Sequence, residues 1–179
     1  MMLSNWDKSC DMVLAHEGGF TSDSRDKGNS LPDGRAGSTM LGCTQANWEA
    51  YVGHQVTWDD MKKLTKDDVK PLYKKNYWDA VKGDDLPSGV DYAAFDFAIN
   101  AGPGASRKMI QRALGVTADG AFGPMTMAAI KAADGKELMR KFSEAKTAFY
   151  KSLGNFNVYG KGWLQRVADV QTVADKMIG

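Results

Sequence analysis

Residues 90–101, VDYAAFDFAINA, constrain what this chain can fold into more than any other segment. Small and aromatic side chains there are interrupted only by Asp91, Asp96 and Asn100. A helix that is apolar nearly all round must be covered on several sides, not along one stripe. Leu86-Pro87-Ser88-Gly89 precedes it and Gly102-Pro103-Gly104 follows, both strong chain breaks. The segment is therefore expected to be the central buried helix of a mostly α protein. The break before it is short and runs straight into the most apolar stretch of the chain, which is the wrong composition for a linker. A single domain over residues 1–179 is expected, with residues 1–95 and 96–179 as regions packed on one another.

Helical signals flank this centre on both sides. Trp6, Cys10, Val13 and Leu14 recur at intervals of three and four, and Ser4 with Asp7 has the spacing of a capping box. Gly18 and Gly19 are expected to stop that helix through the left-handed conformation. Residues 20–43 are rich in Gly, Ser, Asp and Arg without hydrophobic periodicity, so a long loop is expected, with a short hairpin near Pro32-Asp33-Gly34. Connections of that length are uncommon in compact domains and are often functional. Thr44 is a good N-cap for a helix through Tyr51, and Thr65 with Asp68 opens another toward Trp78. Pro71 inside the latter predicts a late start or a kink. Further helices are expected over residues 105–114, 127–133, 136–153 and 163–177, with Asp119-Gly120 and Gly123-Pro124 bracketing a tight turn. The expected fold is a compact helical domain with a small irregular or β lobe near its N-terminus.

Charge and composition exclude several function classes. With 23 basic and 22 acidic residues the net charge is +1, so no global field draws the chain onto nucleic acid. The lysines between Lys62 and Lys75 are interleaved with Asp67 and Asp68, which predicts a solvated mixed-charge face. Cys10, Cys43, His16 and His54 have no zinc-ligand spacing, and no metal is expected. The two cysteines form either one disulfide or two buried thiols. No run approaches the roughly 20 apolar residues of a membrane span. Asp7, Lys8 and Asp11 interrupt the N-terminal segment where a signal peptide would be apolar. Synthesis in the cytoplasm without a signal peptide, and a monomer, are the expectations.

The motif richest in chemistry is His16-Glu17-Gly18-Gly19-Phe20. Glu17 is expected at a helix C-terminus, where the macrodipole disfavours an anion and raises a carboxyl pKa. A carboxyl group that keeps its proton near neutral pH is suited to general acid catalysis. Such a residue beside a turn is otherwise an ordinary exposed glutamate. Asp26, nine positions later, and Thr39, which opens Thr-Met-Leu-Gly-Cys-Thr, are polar groups able to converge with it on a cleft. Glycosidic hydrolysis needs one carboxylic acid for the leaving oxygen and a second polar group for water or for the oxocarbenium-like transition state. Asp23 competes with Asp26 for the second position.

Two ordered blocks extend this pattern. HEGGF-x2-D-x2-D-x-G followed by G-x-T-x2-G-x-T over residues 37–44 resembles the N-terminal signature of the glycoside hydrolase family 108 muramidases. Residues 96–130, with Asp96, Asn100, Gly102, Gln111, Asp119, Gly120, Gly123, Pro124 and Thr126, are similar to the peptidoglycan-binding region that accompanies them. The resemblance implies a lysozyme-like fold and an endolysin-type N-acetylmuramidase acting on bacterial peptidoglycan without a cofactor. It implies Glu17 as the acid, and Asp26 and Thr39 as the catalytic Asp and Thr of phage lysozymes. A chain of this kind would be released from the host cytoplasm to act on the wall.

Other residues carry open alternatives. His16 either tunes the acid or is a surface residue. Asp96 and Asn100, four apart on one helix face, either project into a cleft to bind substrate or are buried structural groups. Trp48, Trp58, Tyr77 and Trp78 either stack on sugars or fill the core. Asp119 is expected to be a turn residue. Two other functions remain open on sequence: a lytic transglycosylase, which closes muramic acid on itself, and a non-catalytic wall-binding or secretion-accessory protein.

Overall fold

The structure is a computed structural model that describes residues 4–179; residues 1–3 of the N-terminal segment lie outside the described residues. Nine α-helices and one two-stranded antiparallel sheet are present among the described residues. The chain divides into two compact units, residues 7–75 and residues 4–6 with 76–179. No helix among the described residues is long and apolar enough to cross a membrane.

The larger unit is built round α5 (Val90–Ala101), in which every residue from Val90 to Ala98 is buried. Helices α6 (Pro103–Leu114), α8 (Gly135–Lys151) and α9 (Phe156–Ile178) all pack on it, and α7 (Pro124–Ala132) packs on α6. Trp6, Trp78 and Phe95 meet edge to face, with centroids 5.5–5.7 Å apart. Phe97 meets Phe142 and Phe149 in the same way. Gly89, ahead of α5, is required twice over: its φ is +87, and a Cβ there would lie 2.5 Å from the Ala174 carbonyl oxygen. Asp91 is buried, and burial raises its pKa. Its carboxylate nevertheless accepts bonds from the Gly89 and Tyr92 N–H groups and from Asn5, which oppose that shift.

Pro103 stands at the first position of α6, so Gly102-Pro103-Gly104 is a junction between two helices. α9 begins seven residues earlier than hydrophobic periodicity suggests, because its first turns carry exposed Val158 and Tyr159. Asp119 is a turn residue. Its carboxylate accepts from Ala121 N–H and from the fully buried Gln111 amide, which also accepts from Gly120 N–H.

The smaller unit contains most of α1 (Trp6–Leu14), the hairpin β1 (Thr39–Met40) and β2 (Cys43–Thr44), α2 (Gln45–Val52), α3 (Trp58–Lys62) and α4 (Lys66–Tyr73). Thr44 caps α2, and Thr57 and Thr65 form capping boxes on α3 and α4. Ser4 does not make the expected box with Asp7: its hydroxyl accepts from Trp6 N–H and donates to Asp84. α4 runs through Pro71 without a late start and passes into a π-helical turn over Lys74–Trp78. Proline removes one N–H from the ladder, and the wider turn is where the regular pattern then lapses. Cys10 and Cys43 are free buried thiols, both pushed up to about 12 by burial.

One buried cation in the larger unit has a measurable consequence. Lys146 on α8 is 2% exposed, with its Nζ 5.3 Å and 5.5 Å from the ring centroids of Phe97 and Phe142. Burial pulls its pKa down to about 8; Asp96 opposes this and Arg166 adds to it. The unfolded chain holds this proton up to its ordinary value of 10.5. Between these limits the unfolded state binds more protons at this group, so its contribution to stability rises with pH there, and below pH 8 the buried charge costs stability. Lys146→Met, close in volume and uncharged, is expected to raise the melting temperature near pH 7 by a margin over the parent that shrinks from pH 8 to 10. A variant whose melting temperature tracks the parent across that range would contradict this assignment.

Candidate active site

Glu17 lies just beyond α1, not in its last turn. Regular helix ends at Leu14, and the Glu17 N–H closes a tighter turn on the Leu14 carbonyl at 3.3 Å. Gly18 and Gly19 are not left-handed, so they do not cap the helix as expected. They begin an extended segment instead. Gly18 O accepts from Leu41 N–H at 3.1 Å, and Thr21 exchanges two backbone bonds with Thr39 at 2.8 Å and 2.9 Å. The residues after Glu17 are therefore stitched along β1, and the acid is held by sheet pairing rather than by a helix end.

The tip of the hairpin reaches that acid. Leu41 and Gly42 have φ of 52 and 73, the pattern of a type I′ turn. Leucine seldom adopts this conformation, and two bonds hold it there: its N–H on Gly18 O, and its carbonyl accepting from the Tyr73 hydroxyl at 2.7 Å. A Cβ placed on Gly42 would lie 2.5 Å from Glu17 Oε2, and 2.7 Å from both Glu17 Cδ and Tyr73 Oη. The half-buried Glu17 carboxyl, the glycine tip and the hydroxyl of fully buried Tyr73 thus converge on one point. Nothing in the sequence marked Tyr73, which reads as one more apolar position of α4.

The remaining loop is organised by Asn29, also invisible in the sequence. Asn29 is 3% exposed, and its amide donates to the Asp23 carbonyl at 2.9 Å while accepting from the Thr39 hydroxyl at 2.8 Å. Its own carbonyl accepts from Gly37 N–H at 2.7 Å. Asp26 is exposed and caps the 3-10 turn Lys27–Asn29, accepting from Gly28 N–H at 2.9 Å. Asp23 is exposed too. Both its oxygens take bonds from Arg25, which holds its carboxyl below the usual range. The Asn29 side chain thus joins the Asp23 backbone to Thr39, while its N–H donates to the Asp26 carbonyl at 2.9 Å; Thr39 lies two residues from the turn that touches Glu17. Ser30 and Ala36 pair across the turn at Pro32-Asp33-Gly34, the expected short hairpin. Arg35 from that hairpin binds Glu49 of α2 bidentately at 2.7 Å and 3.1 Å, which holds Glu49 down at about 2.

Aromatic residues border the same sheet edge. Trp58 is 40% exposed, its ring 6.3 Å from Phe20, and its indole N–H donates to Ala36 O at 3.2 Å. Lys62 Nζ lies 4.9 Å from the Phe20 centroid. Trp48 pairs with Tyr51, whereas Trp78 is fully buried in the larger unit and donates to Asp84. His16 is exposed. Asp96 and Asn100 belong to the larger unit. Asp96 is buried and accepts from Arg166 at 2.6 Å, and the exposed Asn100 amide reaches it at 3.4 Å. Among the described residues, no three His, Cys, Asp or Glu side chains cluster in a way that could hold a metal ion.

The crowding at the hairpin tip can be checked by stability alone. Gly34→Ala and Gly42→Ala each place a side chain at positive φ, a strain of about 1–2 kcal/mol. Nothing lies within 4 Å of the new methyl at Gly34, whereas at Gly42 it meets Glu17 and the bonded Tyr73 hydroxyl. Gly42→Ala is expected to lose a further ~1–3 kcal/mol to overpacking, measured as the larger fall in unfolding free energy. Equal losses for the two variants would show that the tip is not crowded.

The family model described as Glycosyl hydrolase 108 matches residues 10–102, and that described as Predicted Peptidoglycan domain matches residues 105–168. The solved structure of Brucella abortus SagA is similar, with 37% identity and a TM-score of 0.82 over 97% of this chain and 95% of that one. No curated protein matches the chain. The protein belongs to glycosyl hydrolase family 108, a glycosidase directed at peptidoglycan.

Proposed function

We propose that the chain is an N-acetylmuramidase of the endolysin type that hydrolyses the β-1,4 bond between N-acetylmuramic acid and N-acetylglucosamine. The observation that carries this is the convergence of the Glu17 carboxyl with the Gly42 tip and the Tyr73 hydroxyl, inside the residues matched by the glycosidase model. In this reading Glu17 is the general acid. It gives its proton to the glycosidic oxygen as the C–O bond breaks, and the departing sugar leaves as an alcohol. Charge then builds on the ring, and a water molecule adds to the anomeric carbon. Asp26 accepts the water's proton, and Thr39 helps to place that water. A hydroxyl that donates to Asn29 keeps its lone pairs for accepting a bond from water. Asp23 is less suited, since Arg25 occupies both its oxygens.

Glu17→Gln keeps size and reach while removing the transferable proton. The variant is expected to fold normally, with cleavage of purified peptidoglycan lowered by about 10²–10⁴-fold. Activity within a few fold of the parent would refute the role of Glu17. The cleaved ends separate the competing reactions: reducing muramic acid ends mark hydrolysis, 1,6-anhydro ends mark transglycosylation, and binding without fragments marks a binder.

Asp26→Ala removes only an exposed cap, at a cost of about 0.5–2 kcal/mol. Its turnover should fall while most of the melting temperature is kept, and Asp23→Ala should do much less. The opposite ranking would move the second carboxylate to Asp23.

A further inference from the structure

The first turns of α9 in the larger unit expose aromatic surface that the catalytic reading does not use. Tyr159 is 55% and Val158 74% exposed, two of the three exposed large hydrophobic side chains of that unit among the described residues. Tyr159, Trp163 and Arg166 are spaced i, i+4, i+7, so they form one stripe of the helix. Trp163 stacks on Tyr150 of α8 with centroids 5.2 Å and planes 24° apart, and lies 5.6 Å and 32° from Tyr159. Three rings thus run in sequence across α8 and α9.

The Tyr150 end of the run packs on the core. Tyr150 meets fully buried Phe97 at 6.1 Å and 90°, and Phe149 at 5.6 Å. At its inner end the Arg166 side chain, 41% exposed, is fixed by the buried carboxylate of Asp96 at 2.6 Å. The packed Tyr150 and Trp163 rings and the paired guanidinium pay little ordering entropy when a ligand arrives.

We propose that Tyr159, Trp163 and Tyr150, ending at Arg166, form a binding strip for the glycan strand of peptidoglycan. This rests on the reading above that peptidoglycan is the substrate. Tyrosine and tryptophan rings combine an apolar face with a polar edge, which suits a sugar whose ring faces are C–H and whose rim is hydroxyl and amide. The Asp96 carboxylate offsets the Arg166 charge, so the strip has no strong attraction for a polyanion. It is also too small for a protein partner: half-buried rings of about 150–250 Å² each fall short of the ~800 Å² a stable interface needs on one side. All four residues lie within the match to the peptidoglycan model, residues 105–168.

The test uses the full chain carrying Glu17→Gln, so that binding is read without cleavage. Co-sedimentation is measured with purified sacculi and with glycan strands stripped of their peptides by an amidase. Tyr159→Ala and Trp163→Ala are expected to weaken binding to both by about five- to thirtyfold, the loss typical of an aromatic anchor, and Tyr159→Trp to restore it. Tyr159 is exposed, so its variants remain readable if Trp163→Ala fails to fold. Unchanged binding by Tyr159→Ala overturns the strip, as does failure of the Glu17→Gln chain to bind either probe. A loss seen with sacculi but not with stripped strands overturns the glycan as the occupant. Cleavage by the parent chain with unchanged binding by the strip variants refutes the strip alone. Binding that needs the strip, in a parent chain that cleaves nothing, supports the strip and refutes the hydrolase.

Discussion

Burial of nine consecutive residues of α5, Val90 to Ala98, is the constraint on which the larger unit depends. A helix with no solvated face cannot be covered by one neighbour, so α6, α8 and α9 must all reach it. Each fully buried large side chain there contributes about 1.5–3 kcal/mol, which makes a single lost neighbour serious for a domain of ordinary stability. The same demand explains the glycine before α5. Gly89 must admit the α9 backbone at Ala174 and hold a positive φ at once, and no residue with a Cβ does both.

In the smaller unit the governing device is polar and local. Four residues, Thr39 to Gly42, link three functions: pairing with the segment after Glu17, a type I′ tip beside the carboxyl, and a carbonyl held by Tyr73. Strain at Leu41 is tolerated because backbone and side-chain bonds over-determine it, a common arrangement at functional sites. Glu17 is therefore positioned by sheet and turn geometry and not by a helix end.

Buried polar groups divide along the same line. Asp91, Gln111 and Asn29 are each enclosed, and each has bonded partners that offset the loss of water. Asp91 secures the start of α5, Gln111 the turn at Gly120, and Asn29 the loop between Asp23 and Thr39. Asp96 pairs with Arg166 and bears on the nearby Lys146 and Tyr150. That pairing places a cation on the same helix stripe as Trp163 and Tyr159 of α9, far along the chain from Glu17.

Much of this was legible in the residues themselves. The apolar run at 90–101 demanded a buried helix, and the threonines at 44 and 65 announced helix starts through local hydrogen bonding. The motif blocks identified the family, because spacing among Glu, Asp, Gly and Thr is a property of the chain alone. Local signals misled where tertiary bonds competed with them. Gly18-Gly19 looked like a helix cap, yet Leu41 and Thr39 drew that segment into a sheet edge. Tyr73, Asn29 and the rings of α9 carried no sequence signal, since tyrosine at a helical position, asparagine in a loop and a tryptophan among polar residues are each unremarked alone. What makes them matter is proximity to Glu17, Thr39 and Arg166. Proximity between residues tens of positions apart is decided by packing, which only the folded chain contains.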